Sequence, residues 1–296
     1  SDVVKIDLGI TTSQDWAASG DTIVNVEKLI GSDFGDDLTA AASGSTISGG
    51  AGWDTISGAA GNDILHGDAE NDTIYGNDGN DLIYGDAGDD TLWGQAGNNI
   101  LTGGVGADTI MGFGGTSAAS YATSAAAVNV NIDTNTHSGG DAQGDYLGGI
   151  TNLIGSAFAD TLVGNYLDNT ITGGAGADTI DGGTGIDLVS YATSGAAVNV
   201  NLALTTSQSG GDAAGDLLSN IENLTGSEFN DTLLGSSIAN IIFGGTGKDT
   251  MTGGAGADVF KYSSITDSYT FSGLRDIITD FVNGTDKIDL LDFAGT

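Results

Sequence analysis

The sequence predicts an all-β solenoid, and three observations carry that reading. A nine-residue pattern recurs 17 times, in three arrays. Each nine has one large aliphatic position in an otherwise polar, glycine-rich unit. The acids are 36 Asp against 4 Glu, and 51 of the 296 residues are Gly, with no Pro and no Cys. Solubility alone gives no reason to prefer one acid so strongly. Asp suits turns because its short carboxylate reaches nearby backbone, and Gly suits them because it tolerates positive φ.

The same composition excludes several function classes. The formal net charge is −34, from 40 acids and 6 bases. Such a surface repels phosphate backbones and anionic lipid, which argues against nucleic-acid binding and membrane attachment. No apolar run approaches the ~20 residues of a membrane span. Without Cys there is no disulfide, thiolate metal site or cysteine nucleophile.

The first array starts at Gly31 and reads GSDFGDDLT, AAASGSTIS, GGAGWDTIS, GAAGNDILH, GDAENDTIY, GNDGNDLIY, GDAGDDTLW, GQAGNNILT, GGVGADTIM. A degenerate tenth unit follows at Gly112, and the period returns at Gly155 and Gly226. Positions one to six form a turn. Position eight is the aliphatic slot, filled in the first array by Leu38, Ile47, Ile56, Leu65, Ile74, Ile83, Leu92, Leu101 and Ile110. One inward side chain per three-residue strand makes no core alone, whereas stacked strands do. Two nines make an 18-residue coil, with successive coils ~4.8 Å apart in the strand-pairing direction.

These units resemble the RTX, or hemolysin-type, calcium-binding nonapeptide, glycine-glycine-x-glycine-x-aspartate-x-aliphatic-x. The resemblance implies a right-handed parallel β-roll with calcium ions between turns stacked on one edge. It also implies that alternate turn carbonyls and the position-six Asp carboxylates supply the ligands. Elementary chemistry agrees. Calcium accepts six to eight oxygens at ~2.3–2.6 Å, whereas magnesium demands tighter octahedra and softer metals want His or Cys.

Ions between turns 18 residues apart divide position six into two columns per array. In the first array one column is Asp36, Asp54, Asp72, Asp90 and Asp108; the other is Ser45, Asp63, Asp81, Asn99 and Ser117. The second array supplies Asp160 with Asp178 and Asn169 with Asp187; the third supplies Asp231 with Asp249 and Asn240 with Asp258. Seven neighbouring pairs carry two carboxylates and four carry one, so about 7 to 11 calcium ions are expected. The first array should have one fully loaded edge and one partly loaded edge, with Ser45, Asn99, Asn169 and Asn240 as weaker ligands.

The organisation expected is an incomplete spacer repeat at 1–30, arrays at 31–119, 155–190 and 226–261, spacers at 120–154 and 191–225, and a cap at 262–296. The spacers open with SYATS, pass through AVNVN, and carry GGDAQGD or GGDAAGD loops before ITNLIG or IENLTG strands. Asp141, Asp145, Asp212 and Asp216 in those loops are further calcium candidates. The chain opens inside a spacer repeat, which suggests part of a larger protein. The C-terminal stretch resembles the closing segment of serralysin-type domains, where a non-repetitive sheet caps the roll. There Asp276, Asp280 and Asp286 are candidate ligands, and IITDFV and KIDLLDF candidate strands.

Neither His-Glu-x-x-His nor Gly-x-Ser-x-Gly occurs, and Gly244–Thr250 lacks the spacing of a phosphate loop. No catalysis is expected. Position nine points outward and carries His66, Tyr75, Tyr84 and Trp93 in succession, so Tyr75 and Trp93 are candidate saccharide contacts or simply a sheet-stabilising pair. The expectation is an extracellular calcium-binding module that folds after type I export from a bacterium. Its partners would be calcium, upstream domains and like chains on a cell surface. Two other expectations are an ancillary module of a secreted enzyme and a surface-layer or adhesin segment.

Overall fold

The computed structural model describes residues 4–9, 15–16, 26–268 and 275–290. Parts of the expected opening spacer (1–3, 10–14 and 17–25) and of the C-terminal segment (269–274 and 291–296) lie outside the described residues. The chain forms two compact units, residues 1–152 and 153–296.

In the first unit, position eight alternates between two parallel ladders. One runs Asp37–Thr39, Thr55–Ser57, Thr73–Tyr75, Thr91–Trp93, Thr109–Met111, Tyr146–Gly148. The other runs Lys28–Ile30, Thr46–Ala51, Ile64–Ala69, Leu82–Ala87, Ile100–Val105, Ala118–Ser120. Thr55 pairs with Thr73, Thr73 with Thr91, and Thr91 with Thr109, one coil of 18 residues per step. β-Branched Thr and Ile favour these pleated positions. Leu38, Ile56, Ile74, Leu92 and Ile110 from one ladder and Ile47, Leu65, Ile83 and Leu101 from the other are fully buried. Each contributes roughly 1.5–3 kcal/mol on burial, and only when its neighbouring coils are in place.

The second unit repeats this plan. One ladder runs Asn152–Ile154, Thr170–Thr172, Leu188–Ser190, Asn223–Thr225, Ile241–Phe243, Val259–Lys261, Lys287–Asp289. Two shorter ladders complete it: Thr161–Val163, Thr179–Asp181, Leu217–Ser219, and Asn199–Asn201, Thr232–Leu234, Thr250–Thr252, Ile277–Ile278. The fold is an all-β parallel β-roll with spacer coils. Ile277–Ile278 and Lys287–Asp289, within the segment expected to cap the roll, each add one parallel strand to an existing sheet.

The spacers add one feature that the repeat pattern does not announce. Asn129–Asn131 pairs antiparallel with Thr136–Ser138. The cause is local: Asn131 Oδ1 accepts the N–H groups of Asp133 and Thr134, at 3.0 and 2.8 Å, which turns the chain back. The loop then passes through a 3₁₀ turn, Gly140–Ala142, and rejoins the parallel ladder at Tyr146.

Candidate metal centre

Position six lies at the bend immediately before each strand, and its side chains turn inward as ladders. Oδ1 of each member accepts the backbone N–H of the position-six residue one coil earlier. On the unbroken edge Asp54 accepts from Asp36 at 2.7 Å, Asp72 from Asp54 at 2.8 Å, Asp90 from Asp72 at 2.7 Å and Asp108 from Asp90 at 2.9 Å. On the other edge Asp63 accepts from Ser45, Asp81 from Asp63, and Asn99 from Asp81, at 2.6, 2.9 and 2.8 Å. The second unit repeats the link from Asp160 to Asp178, Asn169 to Asp187, Asp231 to Asp249 and Asn240 to Asp258, at 2.8–2.9 Å. Every one of these residues is buried.

The second carboxylate oxygen is the informative one. Oδ2 of Asp54, Asp63, Asp72, Asp81, Asp90, Asp108, Asp178, Asp187 and Asp249 is buried with no hydrogen-bond partner. It sits over the position-one Gly of its own nine. A Cβ on Gly67 would collide with Asp72 Oδ2 and lie 2.8 Å from the carbonyl oxygen of Gly85. Glycine therefore keeps open the space where carboxylate and carbonyl oxygens converge.

Burial raises the pKa of these carboxylates, and like charges along the column add to it. Asp72, between Asp54 and Asp90, is pushed up to about 8, as is Asp249. Asp63, Asp108 and Asp178 reach about 7, and Asp54, Asp90 and Asp187 about 6. Asp81, Asp231 and Asp258 are raised as well, again chiefly by burial. Aligned buried carboxylates with unpartnered oxygens call for a cation. A donor set made of oxygens alone fits a hard ion of calcium's size.

The family model for the RTX calcium-binding nonapeptide repeat (4 copies) matches residues 30–65, 57–92, 93–116, 154–189 and 225–260, together more than half of the chain. The chain belongs to this family. Among curated proteins none matches.

Calcium is the ion of RTX repeats, and the thirteen position-six Asp residues are the groups of this chain that would hold it. Ser45, Asn169 and Asn240 differ from the aspartates whose Oδ2 is unpartnered. Ser45 Oγ accepts the N–H of Ala41 at 3.0 Å, Asn169 Oδ1 that of Asn165 at 2.8 Å, and Asn240 Oδ1 that of Ser236 at 2.7 Å. These turns satisfy their own oxygens without an ion. Asn99 has a buried, unpartnered Nδ2.

The RTX columns run further than an 18-residue count reaches. Asp145 Oδ1 accepts from Asp108 at 3.0 Å and Asp216 Oδ1 from Asp178 at 2.9 Å, across whole spacers. Asp276, Asp286 and Glu222 take the same place after Asp249, Asp258 and Asp187, at 2.8, 3.1 and 2.8 Å. The signal lies in the sequence as an acid, any residue, then an aliphatic: Asp145-Tyr146-Leu147, Asp216-Leu217-Leu218, Glu222-Asn223-Leu224, Asp276-Ile277-Ile278, Asp286-Lys287-Ile288. Asp141 and Asp212 stay off the ladders on 3₁₀ turns, their N–H groups donated to Ser124 and Ser194 Oγ at 3.1 and 3.0 Å. Asp280 accepts the N–H groups of Gly253 and Gly254, at 2.9 and 2.8 Å.

Protein groups close both ends of the main columns. At the start, Ser32, Ser156 and Ser227 donate their N–H to Oδ2 of Asp36, Asp160 and Asp231, at 2.5, 2.5 and 2.6 Å. At the end, the buried phenols of Tyr121 and Tyr191 donate to Oδ2 of Asp145 and Asp216, at 2.9 and 2.8 Å. Tyr191→Phe is expected to cost about 1.5–3 kcal/mol, the value of a hydrogen bond to a charged group. Thermal unfolding of the calcium-loaded chain measures it, and an unchanged midpoint would show that the phenol only packs.

The outward position-nine aromatics stack on one another. The rings of Tyr75 and Trp93 are 6.5 Å apart at 16°, and Phe113 lies 6.1 Å from Trp93 at 28°. Trp93 thus sits between two rings, Tyr75 from position nine and Phe113 from position two of the tenth unit, and is itself partly exposed.

Proposed function

We propose that this chain is a calcium-driven folding module of a protein exported to the outside of a bacterial cell. The observation that carries the reading is the set of ten buried carboxylate oxygens without partners among the described residues, Asp276 Oδ2 with the nine at position six, aligned along the coil edges. At the low calcium of a cytosol, the column charge opposes closure, and the 51 glycines increase the entropy of the open chain. Outside the cell, calcium binds only stacked turns, so its binding free energy becomes folding free energy. Extracellular calcium modules have Kd values of about 10⁻⁴–10⁻³ M, which matches that change of compartment.

The module's role in this reading is structural. Its position-six carboxylates are committed to ladders, and its two histidines, His66 and His137, sit on separate strands, Ile64–Ala69 and Thr136–Ser138. The doubly acidic pairs load first, and the pairs containing Ser45, Asn99, Asn169 or Asn240 load weakly or stay closed by their own turns.

Calcium titration from a chelated state tests this, followed by far-UV circular dichroism and small-angle scattering. The chain is expected to be expanded and poor in β structure with chelator. It should become compact in a cooperative step near about 10⁻⁴–10⁻³ M calcium. A chain equally compact and β-rich in excess chelator at neutral pH would refute the switch.

A further inference from the structure

The outer face of the first unit carries a cluster of different chemistry from the calcium columns. We propose that His66, Asp68 and Asp86 form a site for a borderline divalent metal such as zinc. One donor atom from each lies within 4.8 Å of the others. His66 Nδ1 faces Asp86 Oδ2 at 2.9 Å, joining position nine of one coil to position two of the next.

The three side chains are held in place. The imidazole stacks on Tyr84, with ring centres 4.5 Å apart and planes at 6°, which fixes its tilt. Asp68 Oδ2 accepts from Ser48 Oγ and from the N–H of Gly50, the latter at 3.1 Å. Supporting contacts of this kind orient ligands around a metal. Asp68 and Asp86 sit at φ +74 and +71, while the aligned Gly50 and Gly104 hold the same left-handed turn with glycine. The chain therefore places carboxylates at a strained position in just the two coils beside the imidazole.

The donor set decides the class of ion. An imidazole nitrogen with two carboxylates suits zinc, and cobalt as its spectroscopic substitute, whereas calcium prefers oxygen alone. Zinc bonds of ~2.0–2.2 Å place donors about 3.3 Å apart, so Asp68 closes on the ion while Asp86 relaxes slightly outward. All three residues are partly exposed, so water completes the coordination. The site uses no column oxygen, so its failure would leave the calcium reading standing.

The test is zinc titration of the calcium-saturated chain, with bound calcium counted on the same samples and cobalt absorption as a second readout. One zinc equivalent is expected without loss of calcium. Affinity should fall at least about tenfold in His66→Ala and in the near-isosteric Asp86→Asn, and stay unchanged in His137→Ala. Cobalt bands present in the parent should vanish in His66→Ala. Circular dichroism in calcium confirms that each variant is folded. No zinc binding, equal binding by parent and Asp86→Asn, or zinc that displaces calcium ion for ion would each overturn the proposal.

Discussion

In excess chelator, lowering the pH from about 8 to about 5 is expected to compact the chain and raise its far-UV β signal. The column carboxylates set the direction. Burial first and neighbouring charge second hold Asp72 and Asp249 at about 8, Asp63, Asp108 and Asp178 at about 7, and Asp54, Asp90 and Asp187 at about 6. In the unfolded chain these groups titrate near about 3.9. Between about pH 4 and 8 the ion-free roll therefore binds more protons than the unfolded chain, and its stability falls as pH rises through that window. Protons thus do in acid what calcium does at neutral pH, and calcium uptake near about pH 6.5 should release protons.

Two measurements separate this from relief of overall charge repulsion. High salt at about pH 8 screens the exposed charges but leaves buried neighbours coupled, so it should not restore the roll. An indicator dye in weak buffer reads the protons displaced by calcium. A chain as expanded at about pH 5 as at about pH 8, with no proton release on calcium binding, would contradict the column electrostatics.

The parts of this architecture legible in the sequence are those on the 18-residue count. Ile56, Ile74 and Leu92 could be placed in one column, and Asp54, Asp72 and Asp90 in another, because a uniform coil length turns spacing into position. Spacers break that count. Asp145 and Asp216 lie 37 and 38 residues after their column neighbours, so a fixed period makes them calcium candidates of the loops rather than members of the columns. Their local acid-x-aliphatic signature survives, but it identifies a position-six equivalent only once the loop is known to rejoin the same ladder. Tyr121 and Tyr191 opened the spacer repeat visibly. Their hydrogen bonds to Asp145 and Asp216, 24 and 25 residues on, follow from closure of the loop and have no local signal. The same holds for His66 and Asp86, which meet across two consecutive coils at a spacing of 20.

Asp72→Ala is expected to do more damage than any single change at a column end. Asp72 belongs to two doubly acidic pairs, with Asp54 and with Asp90, and its Oδ1 holds the Asp54 N–H at 2.8 Å. Alanine removes a carboxylate from both pairs and orphans a buried N–H at a cost of about 1–3 kcal/mol. About two calcium ions should be lost per chain, with the folding midpoint displaced to higher calcium. Asp72→Asn keeps an acceptor for the Asp54 N–H but not the charge, so it should retain more structure while still weakening both sites. Asp36→Asn is the comparison at the end of the column. Asp36 takes part in one doubly acidic pair, and Ser32 already donates to its Oδ2 at 2.5 Å. Coupling in a solenoid runs between nearest neighbours, so a defect at the end frays one coil, whereas a defect at the centre divides the array. Equilibrium dialysis for stoichiometry and circular dichroism for the midpoint should rank the losses Asp72→Ala, then Asp72→Asn, then Asp36→Asn. A midpoint displaced no more by Asp72→Asn than by Asp36→Asn would mean that a central defect costs no more than one at the end, and that the columns do not act as a continuous edge.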